Sequence, residues 1–255
     1  MSLVLTPLPN IPFVHTGDDL VKMIWNGLTH ADIILQEGDI LVLAQKIVSK
    51  AEGRWVNLVT IQPSTRAIEL AENIEKDPRL VELVLRESNQ ILRTRVGTII
   101  VEHRLGFVCA NAGIDHSNVA GEANSTEEWV LLLPENPDDS ANIIRQKLED
   151  RSRVHLGVMI IDSHGRAWRQ GVVGVAIGLS GLPGLVDMRG KYDLFGYYLR
   201  ITTIGTADEL AAAASLVMGQ ANEGTPIVHV RGFPYKLRDG NLKELLRPKE
   251  QDLFR

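Results

Sequence analysis

The chain has 255 residues, enough for one large domain or two small ones with a sizeable core. Apolar residues make up 44% and charged residues 23%, as in ordinary globular proteins, and the formal net charge of −5 comes without any dense Lys/Arg tract. This composition argues against a nucleic-acid-binding protein, and the single cysteine, Cys109, excludes an intrachain disulfide and a cysteine-based metal site.

The N-terminal residues do not resemble a targeting segment. MSLVLTPLPNIPF lacks a basic start and contains three prolines. No apolar run reaches the roughly 20 residues that a membrane span needs. We therefore expect a cytoplasmic protein without membrane contact.

The first third of the chain predicts a helix, a strand and two further helices. Thr16-Gly-Asp-Asp is typical of a helix start, and apolar residues continue that helix to Trp25. Residues 40–50 (ILVLAQKIVSK) are rich in β-formers and predict a strand that ends in a polar cluster. Pro63-Ser-Thr opens one helical pattern, and Pro78 opens another that extends to Ile91.

The rest of the chain alternates strands and helices without a clean βαβ rhythm. Elements are predicted at residues 98–101 and 105–110 (paired strands), 130–134 (extended), 137–151 (helix), 156–162 (strand ending at Asp162), 206–218 (helix opened by a capping box) and 227–230 (strand). Residues 171–181 contain too many glycines for a long regular element. The pattern indicates an α/β or α+β fold with a mixed sheet in up to two lobes.

Polar clusters follow three of the apolar strands. The first contains Gln45, Lys46, Ser49 and Lys50; the second contains Asn111, Asp115 and Asn118; the third contains Asp162, Ser163, His164 and Arg166. Ligand sites in sheet proteins tend to lie beyond strand ends, where loops present side chains on a rigid base. Carboxylates can bind Mg²⁺ or Mn²⁺, and nearby Lys and Arg side chains can neutralise the charge of a phosphoryl group during its transfer.

Each cluster alone also has a purely structural interpretation. Asp and Asn near Gly113 are typical turn residues, and Ser49-Lys50 resembles a solvated strand end. No standard nucleotide-binding motif decides between the structural and the functional interpretation, because residues 184–192 (GLVDMRGKY) have the wrong spacing for a P-loop. The three clusters together favour a metal-dependent enzyme that acts on phosphates.

Four segments, in order, resemble the coenzyme F-420-0:L-glutamate ligase family. They are EGDILVLAQKIVSKAEGR, VCANAGIDHSNV, IIDSHGRAWRQGVVGVAIG and VMGQANEGTP, and the resemblance extends from Pro9 to about Gly232. It implies a single stand-alone ligase domain over residues 1–255, with a charged peripheral tail at 236–255. It also implies a homodimer.

The resemblance implies a specific reaction. GTP phosphorylates a carboxylate of coenzyme F-420-0, and the amine of L-glutamate then displaces phosphate from the acyl phosphate to form an amide. Further γ-linked glutamates can follow. Two divalent ions, Mg²⁺ or Mn²⁺, and a K⁺ ion are implied as cofactors.

The resemblance also implies site residues. Asp115, Asp162 and Lys50 would be catalytic, and the divalent ions would be bound by Asp115, Asp162, Ser163 and Gln220. GTP would contact Ile11, Pro12, Phe13, Val14, Gln45, Lys46, Lys50, Asn118, Met218, Gly219, Gln220, Ala221, Asn222, Glu223, Gly224 and Thr225. Relatives can carry Ser-Thr in place of Gln45-Lys46, so the nucleotide contact at this position can differ in kind.

Two other functions are compatible with the same polar clusters. A metal-dependent phosphohydrolase or nucleotidyltransferase could employ the aspartates without glutamate. A nucleotide-binding regulator would have the pocket without turnover.

Overall fold

The structure is a computed structural model that describes residues 2–119 and 128–253. Its strands are β1 (Val4–Pro7), β2 (Ile40–Ala44), β3 (Trp55–Asn57), β4 (Ser88–Arg95), β5 (Thr98–His103), β6 (Val108–Ala110), β7 (Trp129–Leu131), β8 (Gly157–Arg166), β9 (Arg169–Ser180), β10 (Val186–Asp187), β11 (Thr203–Ile204) and β12 (Ile227–Arg231). Its α-helices are α1 (Leu20–His30), α2 (Gln45–Ala51), α3 (Thr65–Ile74), α4 (Pro78–Arg86), α5 (Pro137–Ser152) and α6 (Thr206–Met218).

The largest element is a five-stranded mixed sheet in the order β1-β12-β2-β8-β9. Strands β2 and β8 are parallel, and every other neighbouring pair is antiparallel. Residues 40–43 of β2 are fully buried because helices cover both faces of the sheet. Helices α1 and α5 pack on one face and α6 packs on the other. The prediction of a mixed α/β architecture is confirmed.

A smaller three-stranded sheet, β4-β5-β6, packs on α3 and α4 around its own apolar core. Strands β3 and β7 form a separate ribbon beside it. Each of the two main sheets packs around its own apolar core. Phe107 packs against the cores of both sheets and therefore lies where they meet.

The glycine-rich segment forms a long regular strand, so the expectation for residues 171–181 was wrong. Its glycines are needed because the helices lie close to β9. A Cβ on Gly174 would lie 2.5 Å from the Ala211 carbonyl oxygen of α6, and one on Gly178 would lie 2.4 Å from Pro137 of α5. Close packing, rather than turn formation, explains glycine at these two positions.

Other element boundaries also differ from the predictions: β6 is limited to Val108–Ala110 and β7 to Trp129–Leu131. The chain leaves β2 at Ala44, and residues 45–51 form helix α2, because the apolar side chains of that run pack into the core from a helix as readily as from a strand. Helix α4 ends at Arg86, and Ile91 lies in β4. Strand β8 continues beyond Asp162 because its hairpin with β9 supplies pairing as far as Arg166.

Two predicted helix starts have different caps. Asp19, rather than Thr16, caps α1 by accepting hydrogen bonds from the backbone N–H groups of residues 21 and 22. At α6 the predicted capping box does not form, because the Thr206 hydroxyl donates to the carbonyls of Pro183 and Gly184. Among the helices described, none is long and apolar enough to cross a membrane.

The C-terminal segment runs along the outside of the fold but is anchored to it. Leu242 is buried, and its backbone N–H donates to the Asp138 carboxylate. Glu244 accepts hydrogen bonds from the backbone N–H groups of Gly184 and Leu185. Lys249 forms an ion pair of 2.8 Å with the buried Glu102 of the smaller sheet. These contacts tie the segment to both sheets.

Candidate active site

A cavity of about 1280 Å³ contains the predicted site residues. Its lining includes every residue that the sequence assigned to metal or nucleotide: Ile11, Pro12, Phe13, Val14, Gln45, Lys46, Lys50, Asn118, Asp115, Asp162, Ser163, Met218, Gly219, Gln220, Ala221, Asn222, Glu223, Gly224 and Thr225. These residues come from five separate chain segments, so the fold brings together what the sequence separates. Their individual roles remain predictions.

Asp115 follows β6 and is fixed at both backbone and side chain. Its main chain forms a bridge with Leu131 of β7, with hydrogen bonds of 3.0 and 2.9 Å. Gln45 Nε2 donates to Asp115 Oδ2 at 2.7 Å, and Lys46 Nζ lies 3.2 Å from Oδ1. The Gln45 amide is oriented in turn by Ser49, whose hydroxyl donates to Oε1 at 2.8 Å. The carboxylate therefore has a defined direction in the cavity.

The Asp115 carboxyl titrates at an unusually high pH. Burial raises its pKa to about 6; Lys46 opposes that rise, and the negative charge of Asp162 adds to it. This mutual repulsion means that the two aspartates share one electrostatic environment. A cation placed between them would relieve the repulsion.

Asp162 lies within β8 of the large sheet. His164 Nε2 approaches Asp162 Oδ2 at 3.0 Å, and both side chains are largely buried. Since β8 continues beyond this point, Asp162 is held by strand pairing on both sides. It is therefore more rigidly placed than the strand-end position that the sequence predicted.

A short hydrogen-bonded chain connects Ser163 to α6. The Ser163 hydroxyl donates to Gln220 Oε1 at 2.9 Å, and Gln220 Nε2 donates to Ser215 Oγ at 2.8 Å. Ser215 thus fixes the side-chain amide so that its oxygen faces Ser163. As a result, two neutral oxygen atoms that could bind a metal ion, Ser163 Oγ and Gln220 Oε1, lie side by side.

The two lysines of α2 occupy different positions. Lys46 Nζ donates to Ser117 Oγ at 2.9 Å in addition to its ion pair with Asp115. Lys50 Nζ donates to the Asn118 carbonyl at 2.8 Å and lies 5.4 Å from the centre of the Trp55 ring. Burial, together with the charge of Lys46, lowers the pKa of Lys50. A half-buried ammonium group of this kind would be stabilised by an anionic ligand.

The segment from Met218 to Thr225 forms a structured loop at one wall of the cavity. The Thr225 hydroxyl donates to the Met218 carbonyl, and the Glu223 carboxylate accepts from the Ala221 N–H at 2.8 Å. Gly219 has φ 75°, and a Cβ there would collide with the Glu223 carboxylate. Asn118 Nδ2 donates to the Ala221 carbonyl, which joins this loop to the segment that carries Asp115.

The donor set fits a hard divalent cation. Two carboxylates, a hydroxyl and an amide oxygen are the ligand types that Mg²⁺ and Mn²⁺ accept. Within residues 2–119 and 128–253 no group of three or more His, Cys, Asp or Glu side chains is arranged to hold a metal. Magnesium sites in phosphate-transferring enzymes often use only one or two carboxylates and take further oxygens from the substrate. The arrangement suits that class.

Sequence reasoning did not identify several residues of the lining. Ser215 lies in an alanine-rich helix and gave no polar pattern, so only the fold reveals its contact with Gln220. Trp55, His15 and Thr16 also line the cavity from outside the predicted clusters. His164, by contrast, was part of the third predicted cluster, and its position two residues after Asp162 was a usable signal for their contact.

Comparison with known proteins identifies close relatives. The family described as F420-0:Gamma-glutamyl ligase matches residues 9–232. The protein named coenzyme F420:L-glutamate ligase from Methanothermobacter thermautotrophicus is 47% identical over 257 residues and covers 100% of both chains. Proteins of the same name are 48% identical in Methanococcus maripaludis strain C7 (87% of this chain, 86% of the relative) and 46% identical in Methanopyrus kandleri (100% and 98%).

The family match covers most of the chain, and the relatives align over nearly their whole length. These likenesses agree with the four segments quoted from the sequence. The chain belongs to the F420-0:γ-glutamyl ligase family.

Proposed function

We propose that this protein is a GTP-dependent ligase that joins L-glutamate to coenzyme F420-0 through an amide bond. The observation that carries the proposal is the convergence of Asp115 and Asp162 with Lys46 and Lys50 in one cavity. This inventory matches what transfer of a phosphoryl group to a carboxylate requires. The names of the relatives support coenzyme F420 and L-glutamate as substrates.

The reaction has two steps. An oxygen of the acceptor carboxylate attacks the γ-phosphorus of GTP, the bond to the β–γ bridging oxygen breaks, and GDP leaves. The glutamate amine then attacks the activated carbonyl carbon, and inorganic phosphate departs with the electrons of the C–O bond. Loss of a proton from the nitrogen leaves the amide.

The cavity residues have distinct roles in this scheme. Asp115 and Asp162 would hold a divalent ion, with Ser163 and Gln220 supplying further oxygens. When bound, the ion would neutralise phosphate charge. Lys50 would add a positive charge, and an anionic phosphate would compensate the burial that lowers its pKa.

A homodimer is part of the proposal, and an exposed arm supports it. Residues 186–204 comprise β10, β11 and the segment between them. They form an arm with several exposed apolar side chains. Leu194, Phe195 and Ile201 are 98%, 97% and 88% exposed. Apolar surface of this extent is unusual on a monomer, and a second copy of the chain would cover it. Light scattering of wild-type protein and Phe195→Asp tests this: we expect a dimer that the substitution weakens.

Mass spectrometry of the product tests the function directly. Purified protein is incubated with GTP, L-glutamate, the deazaflavin acceptor and Mn²⁺ or Mg²⁺, with and without K⁺. A product heavier by one or more glutamate units, formed only with GTP and a divalent ion, supports the proposal. GTP loss without acceptor would indicate a hydrolase, and binding without turnover would indicate a regulator; either result contradicts it.

A further inference from the structure

His164 makes a directed contact with a predicted metal ligand. Its Nε2 lies 3.0 Å from Asp162 Oδ2. Because a carboxylate oxygen can only accept, the proton of this hydrogen bond belongs to Nε2. The hydrogen bond engages Oδ2 of Asp162 and fixes the direction in which that oxygen points, while Oδ1 is not part of this contact.

The strand geometry makes this contact rigid. Asp162 and His164 are two residues apart on β8, so their side chains project from the same face. Their strand partners on β9 are Val175 and Val173, inside one continuous hairpin. Neither backbone can shift without disturbing the ladder, so the orientation of the carboxylate depends on the imidazole.

The His164 ring is itself held from the other side. Phe107 packs against it with ring centroids 5.3 Å apart and planes inclined by 49°. Phe107 also stacks on His103 of the smaller sheet, with ring centroids 5.1 Å apart and nearly parallel rings. His103 is fully buried, and its Nδ1 accepts from the Leu105 N–H at 3.0 Å, so this ring is also fixed.

Phe107 precedes β6, the strand that leads to Asp115. The ring therefore connects the two parts of the site. On one side is the smaller sheet, whose last strand leads to Asp115. On the other is the large sheet, which carries Asp162. Phe107 and His164 therefore form a chain of contacts from the segment that leads to Asp115 to the carboxylate of Asp162.

We propose that His164 is a positioning residue: it holds one oxygen of Asp162 and, wedged against Phe107, sets the direction of that carboxylate relative to Asp115. This inference rests on the proposed metal-dependent function. Residues that orient metal ligands typically change metal affinity by roughly 10- to 100-fold when mutated.

Manganese titration by electron paramagnetic resonance, without nucleotide or acceptor, tests the inference in the full-length protein. His164→Leu removes the donor, whereas His164→Gln retains an N–H near the position of Nε2. The control is His155→Leu, since His155 is 83% exposed and lies outside the cavity lining. Thermal unfolding of each variant accompanies the titration.

We expect the Mn²⁺ dissociation constant to rise roughly 10- to 100-fold in His164→Leu. The Gln variant should remain close to wild type, and His155→Leu should be unchanged. Unaltered Mn²⁺ affinity in a folded His164→Leu would overturn the positioning role alone. Equal weakening by Leu and Gln would overturn it as well.

Two further outcomes distinguish positioning from direct ligation and from the absence of a metal site. A ¹⁴N coupling in the Mn²⁺ spectrum that disappears in His164→Gln would make His164 a ligand and would overturn positioning. If the wild-type protein bound no Mn²⁺, either alone or in a parallel titration with GDP, the proposed metal site would be overturned, and the positioning role of His164 with it.

Discussion

Lys46 Nζ lies 3.2 Å from Asp115 Oδ1, at the carboxylate that the resemblance assigns to a metal. The ammonium group therefore balances the charge of Asp115 in the structure described. A divalent ion would compete with it for the same oxygen. Lys46 also donates to Ser117, so an alternative anchor is already in contact.

Lys46→Met should raise the affinity for Mn²⁺ several-fold and lower the turnover number. Affinity rises because the competing cation is removed, and turnover falls because phosphate charge is less well neutralised. Mn²⁺ titration and steady-state kinetics measure the two effects. Lys22→Met, on the exposed side of α1, is the matched control. An unchanged Mn²⁺ affinity in Lys46→Met would show that lysine and metal do not share Asp115.

Asp115→Asn should abolish the glutamate-ligase reaction without lowering thermal stability. Burial raises the pKa of Asp115 to about 6, so its ionised form destabilises the folded state above that pH. Asparagine removes this destabilisation. In metal-free protein the variant should be at least as stable as wild type at pH 7.5, and the difference should narrow as pH falls from 6 towards 4. Calorimetry in EDTA measures this. A variant less stable than wild type at pH 7.5 would contradict the raised pKa of Asp115.

Gly174→Ala should destabilise the protein by about 1–3 kcal/mol, because its Cβ would collide with α6. The collision involves Ser215, which orients Gln220, so activity should fall as well. Gly165→Ala is the control for stability, since a Cβ there has nothing within 4 Å. Urea unfolding of both variants measures the effect. Equal stability of the two would show that β9 and α6 can separate at no cost.

Asp39 should stabilise the fold down to acidic pH. Burial would raise its pKa, but hydrogen bonds from Arg231 and the close approach of His229 Nε2, 2.8 Å from Oδ2, outweigh that effect and hold the pKa at about 2. Its stabilisation is therefore complete above pH 4 and is lost as pH falls through 2. Asp39→Asn should cost about 2–3 kcal/mol at pH 5.

Urea unfolding of the wild type and of Asp39→Asn, between pH 5 and pH 2.5, measures this. The gap between the two should begin to narrow only below pH 4. A gap that stays constant from pH 5 to pH 2.5 would mean that Asp39 has the same pKa in the folded and the unfolded state, and would contradict the prediction.

The elements best predicted from sequence were those with explicit start signals. Helix α5 begins at Pro137, and β12 begins at Ile227, both as expected. Local patterns failed where distant packing decides the outcome. Strand β9 tolerates glycines because two helices approach its backbone, and β8 continues beyond Asp162 because β9 pairs with it. Neither partner is visible in the local sequence.

The site was partly predictable for a similar reason. Asp115 and Asp162 stood out as polar residues directly after apolar runs, and the fold places both on one cavity. The packing of Phe107 between two histidines depends on how two sheets meet, which no local pattern encodes. The candidate ligand-binding residues were thus easier to recognise than the residues that position their side chains.

The most direct measurement is the anomalous X-ray signal of Mn²⁺ in crystals grown with the metal and GDP. We expect a peak in the cavity with carboxylate oxygens of both Asp115 and Asp162 in its coordination shell, directly or through one water molecule. A peak bound elsewhere, or one that touches only one of these carboxylates and remains at full occupancy when the other is changed to asparagine, would contradict the shared metal site.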